Sequence, residues 1–242
     1  MRAMILAAGL GTRLQPLTDN LPKALVKIRD KTLLEIAIYN LVGNGFNKII
    51  INVHHFAEQV INFIEQNNFG ADISISDERD KLLDTGGGLK KASQFFKDGK
   101  PFLLYNVDII SDLNLQTLYQ ANIKSNSIAT LTVRKRESSR YLLFNSENIL
   151  CGWKNTKSEE LISSCSIDLL NEFAFSGIQI INPEIFSLMP DNDVFSMIDL
   201  YLDIMRDNKV IAHIDNDSFW LDVGKVESLK IAEENFHLIS KS

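Results

Sequence analysis

Residues 3–28 read Ala-Met-Ile-Leu-Ala-Ala-Gly-Leu-Gly-Thr-Arg-Leu-Gln-Pro-Leu-Thr-Asp-Asn-Leu-Pro-Lys-Ala-Leu-Val-Lys-Ile. Ala3 to Ala8 is a short, nearly all-apolar run of strand length, as expected for a strand buried on both faces of a parallel sheet. The chain then breaks into a loop at Gly9 and Gly11, where glycine lets the backbone come close to another group and adopt dihedrals that other residues avoid. Arg13 follows at once, and Lys23 comes ten residues later behind Pro22. A pliant backbone turn with one guanidinium and one ammonium is what a polyphosphate requires. Backbone N–H groups and the Arg fork hold phosphate oxygens, and Lys adds a compact charge.

Two familiar phosphate loops are excluded. The dinucleotide fingerprint needs a third glycine where this chain has Leu14, and the P-loop needs Gly-Lys-Ser/Thr where Gly99-Lys100 is followed by Pro101. Outward from the motif, Thr32 and Glu35 stand at capping-box spacing, and Leu34, Ala37, Ile38, Leu41 and Val42 recur at helical intervals until Gly43 or Gly45. Lys48–Val53 reads as a second buried strand, 56–67 as a helix, and Ile73 and Ile75 as part of a strand near an edge. Phe102–Tyr105 is a further buried strand ending in Asn106-Val107-Asp108, and 115–124 is helical. Strand and helix alternating in this way predict a Rossmann-like, doubly wound α/β fold, a mostly parallel mixed sheet flanked by helices.

Beyond about residue 125 the pattern changes. Strands are expected at 128–133, 141–144, 149–153, 173–181 and 210–214, with a short strand or turn at 219–223. Helices are expected at 195–206 and 226–238. The pieces around 141–153 are expected to form a small antiparallel lobe, and the polar stretch 154–172 reads as a loop or flap. One domain is expected over 1–242, in two halves of about 1–125 and 126–242.

Composition narrows the partners. With 45% apolar and 23% charged residues the chain is an ordinary globular one, and its formal charge of −6 speaks against non-specific nucleic-acid binding. Cys151 and Cys165 lack Cys-x-x-Cys spacing, so reduced thiols in a cytoplasmic protein are expected rather than zinc or a disulfide framework. The N-terminal apolar run is too short for a signal peptide, and none approaches the ~18 residues of a membrane-spanning helix.

Ligands of open α/β sheets bind beyond the carboxyl ends of the strands, where three informative segments fall. The first is the loop 8–23. The second, Asp84-Thr85-Gly86-Gly87-Gly88, sits at a helix start, where glycines admit a flat base or offer N–H groups to an anion; a ligand-free turn explains them equally well. The third ends at Asp108, a carboxylate closing a buried strand, which is costly unless solvated, paired or metal-bound; a surface turn or cap is the alternative. Asp222, in the apolar setting of Trp220-Leu221-Asp222-Val223-Gly224, is either a ligand or the N-cap of the last helix. Two separated carboxylates beside phosphates suit Mg²⁺. His54 and His55 have no carboxylate partner in sequence and read as structural or solvent-facing, and no Ser or Cys nucleophile arrangement stands out.

The string Leu-Ala-Ala-Gly-x-Gly-Thr-Arg-Leu-x-Pro-Leu-Thr-x-x-x-Pro-Lys-Ala-Leu over 6–25 resembles the signature of the sugar-1-phosphate nucleotidyltransferases. With 84–88, 103–108, Phe175-Ser176-Gly177-Ile178 and 220–224, the chain is most similar to the short N-acetylmuramate 1-phosphate uridylyltransferases of peptidoglycan recycling. The resemblance implies that Gly9, Gly11, Thr12 and Arg13 hold the nucleotide phosphates and that Lys23 contacts the reacting phosphates. It implies that Ala7, Ala8, Gly86, Gly87 and Gly88 border base and ribose, that Asn106 and Gly177 face the sugar phosphate, and that Asp108 and Asp222 hold Mg²⁺. Arg13 and Lys23 are then the catalytic pair. The family commonly has Gly where this chain has Val107, and 137–172, which should cover the sugar, departs from the family pattern.

Larger relatives add a C-terminal β-helix; the chain stops at 242 without one, so a second acetyltransferase activity is not expected. The partners implied are a nucleoside triphosphate, UTP foremost, and a sugar 1-phosphate, with no nucleic acid and no membrane, on a monomer or weak homodimer. The runner-up activity is a guanylyltransferase acting on mannose or a related hexose 1-phosphate. A reading of another class, a non-catalytic nucleotide-sugar sensor, would call for loss of Arg13, Lys23 or a carboxylate, and all are present.

Overall fold

The computed structural model of the chain describes residues 1–236, so His237 and Leu238, the end of the last expected helix, lie outside the described residues. The chain forms two compact units: Met1–Leu83 with Leu104–Gln116 and Ser218–Ser242, and Asp84–Leu103 with Thr117–Asp217.

The first unit is a parallel α/β layer. Arg2–Leu6 pairs in parallel with Lys48–Val53, Leu6 opposite Asn52, and Lys48–Val53 pairs in parallel with Asp72–Asp77, Val53 opposite Asp77. Parallel partners require crossovers, which the helices Leu33–Gly43 and Ala57–Gln66 supply. Ala3, Met4, Ile5, Ile49 and Ile51 are wholly buried, as the unbroken apolar runs predict. The first helix starts as expected: Thr32 Oγ1 accepts from Glu35 N–H at 3.1 Å, and Glu35 Oε2 accepts from Thr32 N–H at 2.7 Å. Such a reciprocal cap contributes about 1 kcal/mol.

A second apolar cluster in this unit lies beside the Gly9–Gly11 loop. Leu14, Val26, Ile28, Leu33, Ile110, Val223, Leu229 and Ala232 are buried together. Each large aliphatic there contributes about 1.5–3 kcal/mol by leaving water, so the loop is anchored at Leu14 and at 26–28 while its tip stays open. The short strands Ile109–Ser111 and Trp220–Asp222 pair antiparallel, Asp222 opposite Ile109.

The second unit carries the antiparallel part. Asn171–Ile181 pairs antiparallel with Ala129–Arg134 and with Arg140–Phe144, and Leu150–Asn155 continues that ladder. One parallel pair, Val210–Ile214 with Ala129–Arg134, completes the mixed pattern. The fold is therefore α/β with a mixed sheet, helices and small antiparallel pairs, as predicted. One expectation changes. The polar stretch 154–172 is not a plain loop: Glu160–Ser163 pairs antiparallel with Leu150–Asn155, and Ile167–Leu169 is a single 3₁₀ turn. Its exposed, mostly polar residues give little burial pattern from which to read a strand. Among the described residues no helix is long and apolar enough to cross a membrane.

Candidate active site

The first strand ends at Leu6, and the backbone of 7–14 turns back over the buried cluster. Gly11 has φ +69, a left-handed conformation that L side chains resist. A Cβ there would also lie 3.0 Å from Thr18 Cγ2 and 3.1 Å from Lys23 Cβ. Thr18 Oγ1 donates to the Gly11 carbonyl at 2.9 Å and closes the loop. Gly11 is thus required by geometry. Around Gly9 there is open space, with no atom within 4 Å of where a Cβ would stand. Ala7 and Ala8 are buried at the base, while Thr12 and Arg13 are exposed at the mouth.

Lys23 opens a 3₁₀ turn behind Pro22, and its ammonium bonds the Asp108 carboxylate. Both side chains are largely enclosed, 11% and 16% exposed. Asp108 is therefore neither a surface turn nor a helix cap. The turn that presents it is held from below. Tyr105 Oη donates to the Ile109 carbonyl at 2.9 Å, and Asn40 Nδ2 donates to the Ser111 carbonyl at 3.0 Å. Burial pushes the Tyr105 hydroxyl far above the usual tyrosine range, so it stays a proton donor. Asn106, the last residue of its strand, is half-buried beside this turn.

Asp222 stands next to Asp108 in the fold. The Val223 N–H donates to the Asp108 carbonyl at 2.8 Å, which ties the two carboxylate-bearing segments together. The cap alternative for Asp222 fails: the N-cap of the last helix, Val226–Glu234, is Lys225. Gly224 marks where the cation and the second carboxylate converge. A Cβ on it would sit 2.6 Å from Arg13 Nη2 and 2.7 Å from Asp222 Oδ1. Arg13, Lys23, Asp108 and Asp222, scattered over some two hundred residues of sequence, are gathered within the first unit.

The remaining predicted residues belong to the second unit. Gly86, Gly87 and Gly88 are buried inside the helix Asp84–Lys91. The N–H groups of Gly86 and Gly87 both donate to the Phe195 carbonyl, at 2.9 and 3.2 Å. They are not available to an anion, which corrects that expectation. A Cβ on Gly86 would collide with the Phe195 ring, so close packing is what demands glycine there. Gly177 has φ +77, at a shift of register between Phe175 and Gln179 in the strand Asn171–Ile181. Nearby, Arg136 Nη2 donates to the Phe175 carbonyl at 3.0 Å.

A family model described as nucleotidyl transferase matches residues 2–237. The chain belongs to the nucleotidyl transferase family. Among individual relatives, a UTP–glucose-1-phosphate uridylyltransferase of Synechocystis sp. is 31% identical over 93% of this chain and 61% of its own length. The N-acetylmuramate alpha-1-phosphate uridylyltransferase of Caulobacter vibrioides is 30% identical over 96% of this chain and 95% of its own. This nucleotidyl transferase thus spans less than two thirds of the first relative and nearly all of the second. A putative glucose-1-phosphate thymidylyltransferase from Bacillus anthracis has the same fold, with a TM-score of 0.80 at 18% identity, covering 97% of this chain and 94% of that one.

Two features of this nucleotidyl transferase were not readable from sequence. Gly224, just past the expected strand or turn at 219–223, lies against both Arg13 and Asp222. Cys151 and Cys165, fourteen residues apart in sequence, approach with sulfurs 2.8 Å apart as free thiols. His54 is structural, as expected, its Nδ1 lying 2.7 Å from the Glu78 carbonyl.

Proposed function

We propose that this nucleotidyl transferase moves a uridylyl group from UTP to a sugar 1-phosphate, N-acetylmuramate 1-phosphate foremost, and releases pyrophosphate. The observation that carries the reading is the convergence of Arg13 and Lys23 on Asp222 and Asp108 at the mouth of the Gly9–Gly11 loop. The choice of sugar and base rests on the full-length similarity to the Caulobacter vibrioides enzyme. Such an enzyme serves nucleotide-sugar supply for cell-wall recycling in the cytoplasm.

In the reaction an oxygen of the sugar phosphate forms a bond to the α-phosphorus, and the bond from that phosphorus to the bridging oxygen breaks. The electron pair leaves with pyrophosphate. The nucleophile is already anionic near neutral pH, since a phosphate monoester has a second pKa of about 6. No general base is then required, in keeping with a site built from charges rather than from a Cys or His nucleophile. The chain's task is to hold two polyanions in line and to stabilise the charge that shifts between them. Arg13, exposed at the loop mouth, faces the β- and γ-phosphates and stabilises the departing pyrophosphate. Lys23 leaves Asp108 for the α-phosphate or the incoming sugar phosphate. Ala7 and Ala8 border base and ribose by close backbone approach, and Asn106 faces the sugar phosphate.

The donor set fits Mg²⁺. Asp108 and Asp222 are hard oxygen donors on adjoining segments, and in this structure a cation, the Lys23 ammonium, already sits on Asp108. Mg²⁺ takes one or two carboxylates plus substrate phosphates rather than a protein cage. Among the described residues there is no cluster of three or more His, Cys, Asp or Glu that would make such a cage. Bound there, the ion supplies charge neutralisation of the α-phosphate.

The test is pyrophosphate release with Mg²⁺ across UTP, GTP, ATP, CTP and dTTP. Each is paired with the 1-phosphates of N-acetylmuramate, N-acetylglucosamine, glucose and mannose. Turnover confined to UTP with N-acetylmuramate 1-phosphate is expected. GTP with mannose 1-phosphate replaces the uridylyl assignment with the guanylyl one. Nucleotide binding without release from any pair overturns the transferase reading in favour of a sensor.

A further inference from the structure

The ends of the three parallel strands of the first unit are joined by side chains rather than only by backbone. Asn52, next to last in Lys48–Val53, is 2% exposed. Its Oδ1 accepts from the Ala7 N–H at 2.7 Å, and its Nδ2 donates to Glu78 Oε1 at 2.8 Å. Ala7 is the first residue of the phosphate-type loop, and Glu78 is the first residue beyond Asp72–Asp77. Glu78 is 1% exposed, and its own N–H donates to the Val53 carbonyl at 2.8 Å. The direction of the chain is forced. A backbone N–H needs an acceptor and a carboxylate needs a donor, so the amide of Asn52 has one orientation that satisfies both.

A buried carboxylate is expensive to keep, and an apolar residue would fill the same space at less cost. What Glu78 adds is direction. It fixes the rotamer of Asn52, and Asn52 fixes the first N–H of the loop 7–13. Thr18 holds the far side of this loop at the Gly11 carbonyl, while Gly9 before it stands in open space, so Asn52 governs the near side.

We infer that Asn52 and Glu78 form a positioning relay that sets the Ala7–Arg13 backbone for the nucleotide phosphates. Neither residue touches the reacting atoms. The inference rests on the reading of that loop as the nucleotide site. It assigns to the relay the affinity for nucleotide and not for sugar phosphate.

The relay can be tested by exchanging its donor and acceptor. In Asn52→Asp two carboxylates face each other and the donor to Glu78 is lost. In the double variant Asn52→Asp/Glu78→Gln the new carboxylate accepts from both the Ala7 N–H and the introduced amide, so the network is restored with its polarity reversed. Steady-state KM for each substrate, kcat and the thermal midpoint are measured for wild type, both single variants and the double variant. Alongside them, the dissociation constant of Mg²⁺-UTP and Mg²⁺-GTP is measured by calorimetry.

Asn52→Asp is expected to weaken nucleotide binding by about tenfold to a hundredfold, the scale of a small misplacement of a positioned group. The sugar-phosphate KM should stay within about twofold, and the double variant should recover nucleotide affinity to within about threefold, because contacting residues couple. Glu78→Gln alone, whose amide oxygen still accepts from Asn52, should fall between. If Asn52→Asp does not fold, the double variant and Glu78→Gln carry the comparison. Equal loss toward both substrates, or a lowered midpoint with unchanged nucleotide affinity, assigns the pair a merely structural role and overturns the inference. A wild type that binds nucleotide but turns over no pair refutes the transferase reading and leaves the relay to be judged by calorimetry. A wild type that binds neither nucleotide refutes both.

Discussion

The ammonium of Lys23 is bonded to the carboxylate of Asp108 across 85 residues of sequence, with both side chains mostly enclosed. Each supplies what the other needs while no phosphate is present. An enclosed lysine or aspartate alone would carry an uncompensated charge, and the pair removes that cost. The same two groups are the ones proposed to part when nucleotide and metal arrive, so the pair stores the site in a satisfied form.

Removing either charge should therefore act on the chemistry. Asp108→Asn and Lys23→Gln are each expected to lower turnover about 10²–10³-fold, the scale of other electrostatic stabilisers of a transition state. The double variant should cost less than the product of the two, since partners in contact are not additive. Pyrophosphate release at saturating substrates is the measurement. Normal turnover in Asp108→Asn would sink the metal assignment, as would activity that survives chelation of Mg²⁺.

Gly224→Ala places a methyl group against Arg13 Nη2 and Asp222 Oδ1, both movable ends of side chains. The fold should tolerate it within about 1 kcal/mol, the range of substitutions that only nudge flexible groups. Activity should fall about tenfold or more, because the displaced groups are those proposed to meet pyrophosphate and metal. Kinetics beside a thermal melt separates the two effects. A large drop in midpoint with unchanged turnover contradicts the placement of Arg13.

Gly86→Ala should behave in the opposite way. Its methyl meets the Phe195 ring and lies 2.9 Å from the Phe195 carbonyl, neither of which can step aside freely. Overpacking of this kind costs about 1–3 kcal/mol. For a chain of this size that is a fall in midpoint of about 2–4 °C for each kcal/mol. An unchanged midpoint would show that the helix Asp84–Lys91 shifts to accommodate the methyl.

His213 should give stability a dependence on pH. Burial holds its pKa below the usual histidine value, with Asp215 pulling the other way. Below pH about 6.5 the unfolded chain takes up this proton while the folded chain resists it. Stability is thus lost as pH falls from that value toward the folded pKa and is not lost further below it. His213→Gln should flatten the curve of thermal midpoint between pH 7.5 and 5. Parallel curves for variant and wild type would remove His213 as the source.

The two thiols should react unequally. Cys165 is exposed, while burial, reinforced by Cys165, pushes Cys151 up to about 11. The thiolate is the reactive form, so alkylation at pH 8 should mark Cys165 first and leave Cys151 largely untouched. Mass spectrometry of the labelled protein reads this directly, and prior labelling of Cys151 would contradict its burial.

How far the chain could be read in advance depended on where the information lay. Lys48–Val53 and Val210–Ile214 were predicted to the residue, since each is a short run dominated by β-branched apolar residues. The helix Leu33–Gly43 was legible from Thr32 and Glu35, because a capping box is a purely local device. The strand Glu160–Ser163 was not: its residues are largely exposed, and it is a strand because Leu150–Asn155 offers it hydrogen bonds. Ile109–Ser111 was hidden differently: its residues are buried, but it is three residues long and its partner lies over a hundred residues away.

By itself the sequence determined the order of the main strands and helices, the turn at Gly9 and Gly11, and the identity of the charged residues that a phosphate would need. Those are local matters of periodicity, backbone freedom and side-chain chemistry. Only the tertiary structure decided which charges meet. It put Lys23 on Asp108, set Arg13 and Asp222 on either side of Gly224, turned the Gly86 and Gly87 N–H groups inward to Phe195, and strung Ala7, Asn52 and Glu78 into one hydrogen-bonded line. Pairings of that kind depend on distance in space, and spacing along the chain carries no trace of them until the sheet has fixed its register.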